Sequence, residues 1–101
     1  MQTAALPEIQ IISEQETELE PLSRVIIHND DVTPMNFVVN VLEQIFMLGL
    51  DRAMEIMYLA HFKGTAYVQT LPRSEAERRI QQAQLAAMML GFPLTFSTEP
   101  E

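Results

Sequence analysis

The sequence predicts a small α/β (α+β) domain in which a three-stranded antiparallel sheet packs against three helices in the order β-α-α-β-α-β. Three observations carry this. Short segments rich in β-branched and aromatic residues, at 24–28, 65–71 and 94–98, are separated by stretches whose apolar residues recur at helical spacing. The 3 glycines of the chain each fall where a helical stretch should end. With 101 residues, 48% of them apolar, the chain can bury one core but cannot build two domains with a cleft between them.

Val25, Ile26 and Ile27 are β-branched and place the first strand at residues 24–28. His28, Asn29, Asp30 and Asp31 follow; short Asn and Asp side chains satisfy turn backbone, so a loop is expected here. Thr33 and Pro34 fit the N-cap and first position of a helix running from Met35 to Leu48. Val38, Val41, Leu42, Ile45 and Leu48 form its inner side, and Gly49 is expected to close it. A second helix spans residues 51–62, with Asp51 as N-cap and Gly64 as its stop. The second strand covers residues 65–71. Ser74 and Glu77 have the spacing of a capping box at the head of a third helix. Its inner stripe is Ala76, Ile80, Ala83, Ala87 and Leu90, and Gly91 ends it before the last strand.

Charge divides the chain into two parts. The net charge is −8, yet residues 1–22 hold Glu8, Glu14, Glu16, Glu18 and Glu20 and no Lys or Arg. Residues 1–22 therefore read as a flexible acidic N-terminal arm and 23–101 as the core domain. No basic face exists to neutralise phosphates, so nucleic acid is not an expected partner. No apolar run reaches 18 residues, so no membrane partner is expected, and residues 1–13 lack the pattern of a secretory signal. Cysteine is absent, which removes disulfides, thiolate nucleophiles and Cys-ligated zinc and fits a reducing compartment. A monomer is expected.

Enzyme motifs are lacking: no Gly-rich phosphate loop, no GxSxG elbow, no HExxH. A metal-dependent hydrolase would have to draw its ligands from His28, Asp30 or Asp31, and His61, a set of uncertain geometry without sulfur. His28, ending a strand, reads most simply as a surface side chain or a backbone partner. Met54, Met57, Tyr58 and His61 share one face of the second helix. That face is either a core stripe ending in a satisfied histidine or a polar acceptor at the mouth of a Met-lined pocket.

The string Asn29-Asp30-Asp31-x-Thr33-Pro34-Met35-x-Phe37-Val38, followed by Arg52-Ala53 through Met57 to His61 and by Gly64, strongly resembles the signature of the ClpS adaptors. The resemblance covers about residues 24–98 and leaves the arm unmatched. It implies a non-enzymatic adaptor without cofactor or metal. Such adaptors bind the first residue of substrates of the N-end rule and hand them to a Clp-family AAA+ unfoldase, of the ClpA or ClpC type, in the bacterial cytoplasm or the plastid stroma. Residue by residue, the resemblance implies that Asn29, Asp30 and His61 hold the α-amino group. It implies that Asp31, Thr33, Met35, Val38, Met57, Ala60 and Leu94 line the pocket for a first Phe, Tyr, Trp or Leu. Glu77 and Arg79 would face the unfoldase. Ala60 stands where the family more often has a larger β-branched residue, and Ser74 where many members have Glu. An adaptor that regulates the unfoldase after losing or narrowing its hold on N-terminal residues is the alternative.

Overall fold

The computed structural model describes residues 20–101, so the expected arm lies outside the described residues except at its last three positions. The elements are β1 (Leu22–His28), α1 (Met35–Gln44), α2 (Leu50–Lys63), β2 (Thr65–Pro72), α3 (Arg73–Met89) and β3 (Thr95–Pro100), in the predicted order. The sheet order is β2-β1-β3 and both pairings are antiparallel. The most β-branched strand is thus the central one, paired on both edges. Val25 and Ile27 point from it into the helices and are fully buried. The register shifts between Val25 and Ile26, where β2 carries Val68 as an extra residue between the partners Tyr67 and Gln69.

The helices close the core from one side. Leu42 from α1, Phe46 just past its end, Ile56 from α2 and Val68 from β2 are completely enclosed. Phe46 packs on Phe96 of β3 with ring centroids 5.1 Å apart. Buried Ala76, Ala83 and Ala87 let α3 lie close to the sheet, with Ile80 filling the gap between them.

Several predicted helix ends move, each for a local reason. α1 stops at Gln44 rather than Leu48. Its last turn widens, with Phe46 N–H reaching Val41 O at 3.4 Å and Leu48 N–H reaching Leu42 O at 3.1 Å. Met47 takes the left-handed conformation, φ 59°, which the sequence had offered to Gly49. Gly49 instead begins α2 as its extended N-cap, and Asp51 lies inside the first turn. The early turn is what lets Phe46 swing back onto the sheet. At the head of α1 the N-cap is Pro34, not Thr33, and its carbonyl accepts from Phe37 N–H at 3.1 Å and Val38 N–H at 3.2 Å. Leu90 is exposed rather than buried, because α3 has already ended at Met89. Gly91 closes α3 as predicted, φ 78°, with Phe92 N–H on Ala87 O and Gly91 N–H on Met88 O, a Schellman motif.

The capping box does not form. Pro72 is the N-cap of α3 and Ser74 sits in its first turn. The Ser74 N–H and hydroxyl both donate to the Glu20 carboxylate at 2.8 Å, and Arg73 N–H donates to Pro21 O at 3.0 Å. Hydrogen bonds from the Ser74 N–H and hydroxyl hold the Glu20 carboxyl below its ordinary value. Glu20, Pro21 and Leu22, which the charge pattern grouped with the arm, are therefore bound to the domain, and β1 starts two residues earlier than predicted.

Phe46→Ala is expected to cost about 3–5 kcal/mol of unfolding free energy, because no other side chain can fill that enclosed site. Urea denaturation of wild type and variant measures it.

Candidate functional site

The loop at residues 29–34 leaves β1 and enters α1, and its shape is set by Asp30. The carboxylate accepts from Val32 N–H at 2.8 Å, Thr33 N–H at 2.6 Å and the Thr33 hydroxyl at 2.8 Å. Partial burial, the largest single influence, raises the pKa of Asp30. The three donors together outweigh it, and the net direction is down. A second tie fixes the loop against α2: Asn29 N–H donates to Gly64 O at 2.9 Å. Gly64 reaches this position with φ 93°, a conformation that favours glycine. The end of α2, and His61 with it, is thereby held beside Asn29.

Between the loop, α1, α2 and the entry to β3 lies a pocket of about 290 Å³. All three residues expected to bind an amino group, Asn29, Asp30 and His61, line it. So do the seven expected at the side-chain pocket: Asp31, Thr33, Met35, Val38, Met57, Ala60 and Leu94. Val38, Met57, Ala60 and Leu94 are buried and form an apolar floor. Met35 is 42% exposed and stands at the rim. The cavity therefore combines a polar, acidic lining with a buried apolar floor.

Four lining residues were not expected at the pocket: Ile27, His28, Val32 and Pro34. Val32 and Pro34 belong to the loop itself, and Ile27 follows from the strand that feeds it. His28 departs from the surface reading, since its Nε2 lies 2.7 Å from the Ser97 hydroxyl of β3 while the residue lines the cavity. Nothing in the linear spacing marks a partner 69 residues away. Of the expected α2 face, Met57 and His61 reach the cavity, whereas Met54 and Tyr58 are exposed beside it. The buried side of α2 is Ala53, Ile56, Met57 and Ala60, rotated from the stripe read in the sequence.

Glu77 and Arg79 lie apart from the pocket, on α3. Glu77 is exposed. The Arg79 side chain is only 19% exposed. Its guanidinium donates to Glu75 at 2.6 Å, Gln69 at 3.1 Å and Phe46 O at 3.3 Å, so it ties α3 to β2 and to the end of α1. Among the described residues, no cluster of three or more His, Asp or Glu is arranged to hold a metal ion. No helix among them is long and apolar enough to cross a membrane.

Residues 18–97 match the family model described as ATP-dependent Clp protease adaptor protein ClpS. The chain belongs to the ClpS family. It is 43% identical over 86 residues to the ATP-dependent Clp protease adapter protein ClpS 2 of Mesorhizobium japonicum, covering 85% of each chain. It is 37% identical over 95 residues to ClpS 1 of Rhodopseudomonas palustris, covering 94% of this chain and 92% of that one. The solved structure of Agrobacterium tumefaciens ClpS2 bound to L-phenylalaninamide superposes with a TM-score of 0.77 at 40% identity, covering 80% of this chain and 98% of that one. The ClpS fold and membership in the family of Clp protease adaptors thus agree with the reading of the signature residues.

The depressed pKa of Asp30 gives the loop an acid limit. A carboxylate whose folded pKa is lowered stabilises the fold above its unfolded value, and that contribution is lost as the pH falls through the folded value. The loop should stay ordered from pH 7 down to the ordinary Asp value of 3.8 and loosen below it. Hydrogen exchange at the Val32 and Thr33 amides as a function of pH reads this directly.

Proposed function

We propose that this ClpS-family chain binds the first residue of substrates whose N-terminus is a degradation signal and hands them to a Clp AAA+ unfoldase. The observation that carries the reading is the two-part cavity. Asn29, Asp30 and His61 line it as its polar part, and buried Val38, Met57, Ala60 and Leu94 form its apolar floor. A free α-amino group, ordinary pKa about 7.7–8.0, is largely ammonium at neutral pH and brings three N–H donors. A partly desolvated ammonium needs an acceptor for each. The Asn29 carbonyl, the Asp30 carboxylate and an imidazole nitrogen of His61 supply them. Three of the roughly four lone-pair positions of Asp30 are occupied by the loop, which leaves about one for a ligand or a bridging water. The complex of the Agrobacterium relative with L-phenylalaninamide, an amino acid amide with a free amine and an aromatic side chain, supports this reading.

The apolar floor decides which first residues gain. Burying roughly 150–250 Å² of an aromatic side chain contributes about 4–6 kcal/mol before ordering costs. Ala offers far less, and Lys or Arg would bring charge into a dry space. Tyr, Trp and Leu join Phe as first residues on the same argument. Met35 overhangs the mouth, where a β-branched Ile or Val would meet it. Exposed Glu77, with the outer edge of Arg79, is the surface proposed for the unfoldase, of ClpA or ClpC type, in the bacterial cytoplasm or plastid stroma.

Peptides that differ only in the first residue test the reading. Phe, Tyr, Trp and Leu should bind; Ala and acetyl-Phe should not. Equal binding of Phe and acetyl-Phe would end it. His61→Ala should weaken Phe-peptides about 10- to 150-fold, the effect of leaving an ammonium donor without its acceptor, about 1.5–3 kcal/mol, while circular dichroism stays native. Removing residues 1–19 should spare peptide affinity and slow unfoldase-dependent degradation, since no cage or pocket residue lies there. Degradation rates at equal substrate occupancy decide it.

A further inference from the structure

The pocket wall does not stop at His61. The His61 ring meets the Phe62 ring edge-on with centroids 5.0 Å apart, and Phe62 stacks on Tyr58 at 6.4 Å with the planes 16° apart. Phe62 is 78% exposed, Tyr58 46% and Met54 37%. Positions 54, 58 and 62 repeat every four residues, so they form one stripe along the outer side of α2. This stripe is an apolar ledge, and it is continuous with the pocket because His61 belongs to both. Among the described residues, the opposite rim carries no stacked aromatic pair. Past Met35 and Val32 the surface turns polar, with exposed Asp31 and Asn36. Among the described residues, a stacked aromatic pair adjoins the mouth of the pocket on the α2 side.

A bound peptide has to leave by that mouth. In an extended chain alternate side chains point to opposite faces, and two residues advance about 6.6–6.8 Å. With the first side chain in the pocket, the second points to solvent and the third returns to the protein. The Phe62 ring lies 5.0 Å from the His61 ring at the pocket and 6.4 Å from the Tyr58 ring, so the near edge of the ledge falls within one such step of the pocket wall. We infer that the ledge formed by Tyr58 and Phe62 is a subsite for the third residue of the bound peptide, and that it favours an aromatic or large apolar side chain there. This rests on the pocket being the receptor for a free N-terminus. It adds a second specificity element: the substrate class is a terminus with large apolar residues at positions one and three, not at the first alone.

The experiment uses the full chain and fluorescent peptides read by anisotropy. Phe-Ser-Phe-Ser-Gly is compared with Phe-Ser-Ser-Ser-Gly, Phe-Phe-Ser-Ser-Gly and Ala-Ser-Ser-Ser-Gly. Wild type should prefer the third-position Phe over Ser by about three- to tenfold, the range expected of one exposed aromatic pair. The second-position Phe should give less than half that gain. In Phe62→Ser, whose side chain is too exposed to matter for folding, the ratio of the first two peptides should fall towards one; each variant's own Phe-Ser-Ser affinity is the denominator. Tyr58→Ser should lower the same ratio. A ratio near one in wild type, or an unchanged ratio in Phe62→Ser, overturns the ledge while leaving first-residue recognition intact. Failure of Phe-Ser-Ser to outbind Ala-Ser-Ser would take down the pocket reading, and the ledge with it.

Discussion

The Asp30 carboxylate is the interaction on which the site depends. It folds the residues between β1 and α1 by accepting from two backbone amides and one hydroxyl. Without those acceptors, two amides would compete for water and the loop would have no preferred shape. The second constraint, Asn29 N–H on Gly64 O, turns a well-formed loop into a wall facing His61. A carboxylate first expected at the ligand is therefore equally a structural element. The two roles are compatible because a carboxylate has more lone pairs than the loop uses.

The remaining fold serves to hold that loop and α2 at a fixed separation. β1 is buried between two strands and three helices, so its end cannot drift. α3 supports the sheet from behind, and its alanines keep the distance short. Arg79 fastens α3 to the place where α1 turns back, through Phe46 O. The floor of the pocket draws on α1, α2 and the approach to β3 together, so its apolar side chains are shared with the core. The residues proposed to set first-residue affinity at Val38, Met57 and Leu94 are therefore also residues of the folding core.

Element types and their order were legible because each has a strong periodic signal: β-branched triplets, helical spacing, and glycine stops. The residues expected at the pocket could be named together only through the signature string, since they come from four separate parts of the chain. What the sequence concealed has a common physical origin. Thr33 is a good N-cap by type, but its hydroxyl is drawn to Asp30, and Pro34 takes the cap. Gly49 is a good helix stop, but the packing of Phe46 on Phe96 forces the turn earlier, at the cost of a left-handed Met47. Ser74 has capping-box spacing, yet Glu20 caps that helix from 54 residues away. In each case a tertiary partner outcompetes a local one. Local propensity is worth about 1 kcal/mol or less at such positions, so a single distant contact is enough to reverse it.

The anchorage of Glu20 and Pro21 on the first turn of α3 has a mechanical consequence. The chain that precedes Glu20 continues directly into β1, the strand bonded along both edges. Tension applied from that side first meets the Glu20–Ser74 clasp. Once the clasp opens, the pull runs along the axis of the central strand, where the cross-strand bonds resist together in shear rather than parting one by one. The far end of that strand is His28, next to Asn29. Traction from that side would therefore arrive, with no intervening hinge, at the loop proposed to grip the ligand, making the strand a draw-bar between the point of pulling and the proposed point of holding.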